Sequence, residues 1–238
     1  MTVLNGVTLI LDIGTILLMV GLAMVTDDLR KRGRDDDKLF FYLLFIAMLM
    51  SIADIIGYLS AGKIFYGARW QQTFGMDIFY MTFMLESIVW SYYTLVRFKW
   101  RGTSYSGGIR HLFFYLPGVV IMLVTVVNFL TGWIFSVDEA DILHPGILYY
   151  PMYIIFSGYF LHGFFVIAKY RAVAVSEGRK RQVIPMWIFL LPIALGFFTK
   201  FLLRGVSLAA VCTAVTIAFM HLGSMNEISD TSLKEDAI

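Results

Sequence analysis

The sequence predicts an all-α membrane protein, a seven-transmembrane helix bundle with its N-terminus outside and its C-terminus cytoplasmic. Three observations point there. Of 238 residues, 59% are hydrophobic and only 15% charged, with a mean hydropathy of +0.75; so few charges could not cover the surface of a soluble domain of this size. The charges fall in short bursts between apolar runs of about 20 residues, the length that crosses a hydrocarbon core of ~30 Å. Lysine and arginine gather in alternate loops, the pattern that holds such loops on the cytoplasmic side.

The first span, residues 3–25, has no basic segment before it and no small-residue cleavage site before the charges begin, so it reads as a retained helix. The loop "TDDLRKRGRDDDK" follows, with Arg30, Lys31, Arg32, Arg34 and Lys38. Span two covers 39–61 and span three 73–96, after which Arg97, Lys99, Arg101 and Arg110 form the second basic loop. Span four is 112–131 and span five 147–168, followed by Lys169, Arg171, Arg179, Lys180 and Arg181. Spans six (183–203) and seven (206–223) are separated only by a short link; one helix through both would overshoot the bilayer at ~1.5 Å per residue. Residues 224–238 read as a cytoplasmic linker or tail. The connection between spans four and five, "NFLTGWIFSVDEADILHPGILYY", carries three carboxylates and no lysine or arginine, as an outward loop should.

Ionisable residues inside spans are costly and mark function by default. Asp12 and Asp54 fall in the outer half, Glu86 near the midplane, and Lys200 and Arg204 at the outer end of span six. They form either structural ion pairs and polar glue between helices or a water-accessible pocket open to the outside. On span three, Phe79, Thr82, Phe83, Glu86, Trp90 and Tyr93 share a face at 100° per residue, whereas Asp77 lies opposite Glu86 and close to the solvent-reached outer boundary. An acid beside aromatics suits a ligand or an enclosed cation; the same stripe also suits plain helix packing. His162 is the main polar group of the inner half.

Several classes drop out. No CxxC, HExxH, GxSxG or phosphate-loop pattern is present, so no enzymatic activity is expected. His111, His144, His162 and His221 are scattered, and Cys212 reads as a small packing residue; no metal and no cofactor are expected. A retinal Schiff base needs a lysine in the last span, which has none.

The outward loop carries a resemblance. Asn128, Phe129, Gly132, Phe135, Asp138, Pro145, Gly146, Tyr149 and Tyr150 resemble the connection between spans four and five in bacterial seven-helix sensor modules found N-terminal to GGDEF diguanylate cyclase domains. The basic "RFKW" and "KYRAVAVSEGRKRQ" segments are similar too. The resemblance implies a receptor-like sensory module in the bacterial cytoplasmic membrane, signalling through cyclic-di-GMP. The segment "HLGSMNEISDTSLKEDAI" looks like the linker of such modules, with no GGDEF sequence after it, so output through a cytoplasmic domain or separate partner is expected.

Under that reading the loop is a lid over a site for a small extracellular ligand, with Asn128 and Tyr149 joining Asp12, Asp54, Glu86, Trp90, Tyr93, Lys200 and Arg204. Gly132, Pro145 and Gly146 would set its sharp turns. The plainer alternative is an interfacial anchor built on Trp133, Tyr149 and Tyr150. Expected partners are the lipid bilayer, the ligand and the output element, with a homodimer as an option for assembly; no nucleic acid is expected. A small-solute transporter or channel is the competing function, with Pro185 and Pro192 hinting at a kinked sixth span, although no internal repeat supports it.

Overall fold

The computed structural model describes residues 3–26, 35–61, 69–97, 109–138, 143–176 and 211–219. Its long helices are α1 (Val3–Val25), α2 (Asp35–Ala61), α3 (Arg69–Arg97), α4 (Ile109–Thr131) and α5 (Tyr149–Ser176). Strands β1 (Phe135–Val137) and β2 (Leu143–Pro145) lie between α4 and α5, and residues 211–219 form a further helical segment, α6. Four segments, Gly6–Val25, Asp37–Gly57, Phe113–Thr131 and Tyr149–Lys169, are long and apolar enough to cross a membrane. They coincide with expected spans one, two, four and five. The chain is an α-helical, multi-pass membrane protein. Span six, with Lys200 and Arg204, lies outside the described residues, as does all of span seven except 211–219.

Helix α2 starts earlier than its expected span because three aspartates occupy its first turn, where carboxylates favour the N-terminal end of the helix dipole. Helix α3 has 29 residues, ~44 Å at 1.5 Å per residue, yet is too polar to rank with the four apolar segments. Its position explains this. Asp77, Phe79, Tyr80, Phe83, Met84, Glu86, Trp90, Ser91 and Thr94 are all buried and together cover most of its circumference. A helix wrapped by other helices does not meet lipid and can carry polar groups that find partners inside.

The neighbours of α3 fix the helix directions. A Cβ on Gly75 would lie 2.9 Å from the Gly57 nitrogen and 3.2 Å from the Ala53 carbonyl oxygen of α2, so small residues set this antiparallel contact. Asp77 pairs with Asn128 of α4 and Ser91 with Tyr115; α4 is also antiparallel. Tyr80 meets Tyr149 and Tyr153, Phe83 stacks on Phe156 and Trp90 on Phe160, so α5 runs parallel to α3. Met19 of α1 clusters with Phe40, Leu43 and Leu44 near the start of α2. Directions therefore alternate from α1 to α5.

The outer helices are reversed relative to those of a soluble protein. On α1, Ile10, Leu17 and Met24 are exposed, while the buried stripe is Thr8, Asp12, Thr15 and Met19. On α4, Leu123, Val126 and Leu130 face outward. Buried Thr15, Thr82, Thr94 and Thr125 return their hydroxyls to carbonyls three or four residues back on their own helices, which satisfies the group without a neighbour.

The acidic connection is more ordered than a polar loop. β1 and β2 pair antiparallel, with Phe135 opposite Pro145, Ser136 opposite His144 and Val137 opposite Leu143. Gly132, at φ 61°, ends α4, its N–H donating to the Asn128 carbonyl at 2.7 Å. Gly146 donates to the Ile134 carbonyl at 2.7 Å, and a Cβ there would strike the Trp133 carbonyl. Pro145 departs from expectation: it sits in β2 rather than in a turn, which a strand of a two-stranded ribbon tolerates because its missing N–H faces away from the partner.

Candidate functional site

Two hydrophobic clusters occupy the two ends of the bundle. Beneath the hairpin, Phe79, Tyr80, Phe83 and Met84 pack with Ile121, Ile134, Phe135, Met152, Phe156 and Tyr159. At the opposite end Met19, Phe40, Leu43, Leu44 and Ala47 pack with Trp90, Tyr93, Ile167, Ala214 and Ile217. A ladder of rings joins them: Phe83–Phe156 at 3.7 Å between centroids, Phe156–Phe160 at 4.9 Å and Phe160–Trp90 at 5.9 Å.

Asn128 and Tyr149 belong to the hairpin end. The Asn128 amide donates to Asp77 Oδ1 at 2.9 Å and to the Phe135 carbonyl at 3.1 Å. Its Oδ1 accepts from the Ile134 and Phe135 N–H groups at 2.8 and 3.3 Å. All four hydrogen-bonding positions of the amide are thus filled by the protein, and Asn128 latches the hairpin onto α3. Asp77, expected near solvent, is instead only 8% exposed, because α4 and the hairpin close over it. Tyr149 lies in an aromatic box with Tyr80, Tyr150 and Tyr153. Outside, His144 Nε2 and Asp138 Oδ2 stand 2.8 Å apart across the exposed strand ends.

Glu86 lies between the clusters, 4% exposed, with the Thr213 side chain of α6 beside its carboxyl. Trp90 and Tyr93 are farther along α3, away from the hairpin. The Trp90 ring is flanked by Phe160 and Tyr93 and lies against Gly163, where a Cβ would come within 2.6 Å of Nε1. The indole N–H is buried with no hydrogen-bond partner among the described residues. The acid and the two rings are therefore neighbours along one helix but serve different contacts: Glu86 faces α6, Trp90 faces α5, and Tyr93 closes the far cluster.

Asp12 is fully buried on the inner stripe of α1, and Asp54 is half-buried on α2. Because α1 and α2 are antiparallel with Met19 near Leu44, two helical turns bring Asp12 level with Ser51, and Asp54 follows one turn beyond. Ser51 Oγ is buried with no hydrogen-bond partner among the described residues. Of the nine expected residues, Lys200 and Arg204 lie outside the described residues, and the other seven do not form one cluster. Asp12 and Asp54 share the α1–α2 side, Glu86 lies between the two clusters, Trp90 and Tyr93 belong to the far cluster, and Asn128 and Tyr149 to the hairpin end.

Sequence reasoning passed over a polar seam where α3, α4 and α5 meet. Ser91 Oγ is 2.7 Å from His162 Nδ1 and 3.3 Å from the Tyr115 hydroxyl, and the His162 ring lies 4.6 Å from Phe114. Nearby, the Tyr159 hydroxyl accepts from Gly118 N–H at 2.9 Å and donates to the Phe114 carbonyl at 3.0 Å. The available signal was Pro117 next to Gly118 inside an apolar run, a break that demands an outside partner. No family model, curated protein or solved structure matches the chain.

Proposed function

We propose that the chain is a seven-span sensory module of a bacterial cytoplasmic membrane, N-terminus outside, which binds a small extracellular ligand and signals through the segment after span seven, with cyclic-di-GMP as the output. Residues 1–223 form the sensory domain and 224–238 the linker. The alternating directions of α1 to α5 support this topology, because they bring to one end the C-terminal ends of α1, α3 and α5, after which the basic residues follow in sequence. The hairpin strands and Asp138 lie at the other.

The observation that carries the reading is the approach of Thr213 to the Glu86 carboxyl, close enough for a hydrogen bond between them. It joins a buried carboxyl on the central helix to α6, the segment that leads to the tail. Any ligand that changes what Glu86 contacts also changes what holds α6, and that differential contact is what a switch requires. Trp90, one turn along, holds a buried N–H that a ligand acceptor would satisfy. Asp12 and Asp54 supply charge on the α1–α2 side, with Lys200 and Arg204 as proposed partners from span six. Asn128 is a fastening of the lid, and Tyr149 lines its underside.

The test fuses residues 1–238 to a diguanylate cyclase and reads cyclic-di-GMP in Glu86→Gln and Thr213→Val. Interhelical hydrogen bonds in membranes contribute about 0.6–1.7 kcal/mol, so releasing this one should move basal output by roughly 3- to 18-fold in a folded protein. Unchanged output in both variants would sink the coupling. A folded wild-type fusion with no output at all would overturn the cytoplasmic tail, since the cyclase needs cytoplasmic nucleotide.

A further inference from the structure

Helix α4 contains Pro117. A proline has no N–H to offer and its ring crowds the carbonyl four residues earlier, which loosens the ladder around it. The next rung, from Gly118 N–H to the Phe114 carbonyl, is bridged by the Tyr159 hydroxyl of α5, which accepts from one at 2.9 Å and donates to the other at 3.0 Å. A side chain entering the ladder is a recognised cause of a kink. Gly118 makes the approach possible, since a Cβ there would meet the Tyr159 ring at 2.7 Å and Ile88 Cδ1 at 2.8 Å.

The two halves of α4 are fastened separately. Before the break, Tyr115 reaches Ser91, which also holds His162. Beyond it, the outer half carries Asn128 and the hairpin, held to α3 by the Asn128–Asp77 bond at 2.9 Å. The outward side chains of this half, Leu123, Val126 and Leu130, are exposed and apolar. They gain little by staying against protein rather than lipid, because acyl chains are as apolar as leucine.

We propose that Pro117–Gly118 is a hinge, that the Tyr159 hydroxyl is its removable pin, and that the outer half of α4 swings with the hairpin as one lid over the aromatic ladder. The lever from Gly118 to Thr131 is ~20 Å long, so a 20° swing moves its end by about 7 Å. Only what the lid admits rests on the sensor reading; the hinge stands on α4 and α5 alone.

The experiment uses the full chain in lipid nanodiscs with Cys212→Ser. Spin labels at Leu130→Cys and Ile10→Cys, both lipid-facing at 83% and 70% exposure, report the distance from the end of α4 to α1. Tyr159→Phe should shift or broaden that distance by several ångströms. Adding Pro117→Ala should return it to the wild-type value, because alanine lets α4 close its own rungs. No change in Tyr159→Phe, or a shift that persists in the double variant, would overturn the hinge. Should Tyr159→Phe alone fail to fold, a folded double variant with the wild-type distance supports the proposal, and a double variant that also fails assigns Tyr159 to packing and overturns it. Because the distance does not pass through an output domain, a flat cyclic-di-GMP signal with a moving α4 separates failure of the sensor reading from failure of the hinge.

Discussion

At the hairpin end, Asn128 makes four hydrogen bonds and holds two helices and a strand together; at the far end, Trp90 keeps a buried indole N–H with no hydrogen-bond partner among the described residues. Both side chains are nine-tenths buried or more, and both sit on or against α3. A buried polar group left unpaired costs about 1–3 kcal/mol, so the first arrangement stabilises one closed geometry and the second leaves free energy to be recovered by a rearrangement or an incoming acceptor. The Asn128 bonds thus fasten the hairpin to α3 in the geometry seen, whereas the Trp90 N–H would gain from a new acceptor.

The sharpest way to break this contrast is Asn128→Leu. It strands two hairpin N–H groups, the Phe135 carbonyl and Asp77 Oδ1 in a dry site. With partial rescue by water at the rim, a loss of about 4 kcal/mol is expected, read as a lower unfolding midpoint in detergent and early proteolysis of the hairpin. A loss below about 1 kcal/mol would mean that the latch is not what closes this end.

A smaller effect is expected from Trp90→Phe. The lost ring volume leaves a void, but the orphan N–H disappears as well, and the two terms nearly cancel to within about 1 kcal/mol. A loss of 3 kcal/mol or more would show that the indole N–H has a partner after all and would erase the contrast.

The smallest effect belongs to the outer surface. His144 and Asp138 touch at 2.8 Å, yet their side chains are 56% and 37% exposed, and exposed pairs contribute at most about 1 kcal/mol. His144→Ala should change hairpin stability by about 0.5 kcal/mol or less. A larger loss would place the hairpin's stability in its strand ends rather than in Asn128.

Much of the architecture could be read from residues alone. Span one was expected at 3–25 and α1 is Val3–Val25; span four was expected to end at 131, where α4 ends with Gly132 turning the chain. The polar stripe Thr8, Asp12, Thr15 on an otherwise apolar helix also marks its inward face. Less could be read of the site. Spacing put Glu86, Trp90 and Tyr93 on one face, but could not show that Glu86 meets α6 while Trp90 and Tyr93 pack into the far cluster. The short strands were hidden because three residues each side carry too little alternation to register. Tyr159 gave no local sign of being the partner that Pro117 requires.

Composition and the spacing of charges determined by themselves that this chain is a multi-pass helical membrane protein, because apolar runs of that length have no other stable place. Only the tertiary structure decided that α3 is the centre, that Asn128 closes the hairpin onto Asp77 and that Tyr159 completes α4. The physical reason is that lipid and protein interior are almost equally apolar, so hydrophobic periodicity barely distinguishes a helix face turned to the membrane from one turned to its neighbours. What distinguishes them is the pairing of a few polar atoms, and those pairs join residues distant in sequence.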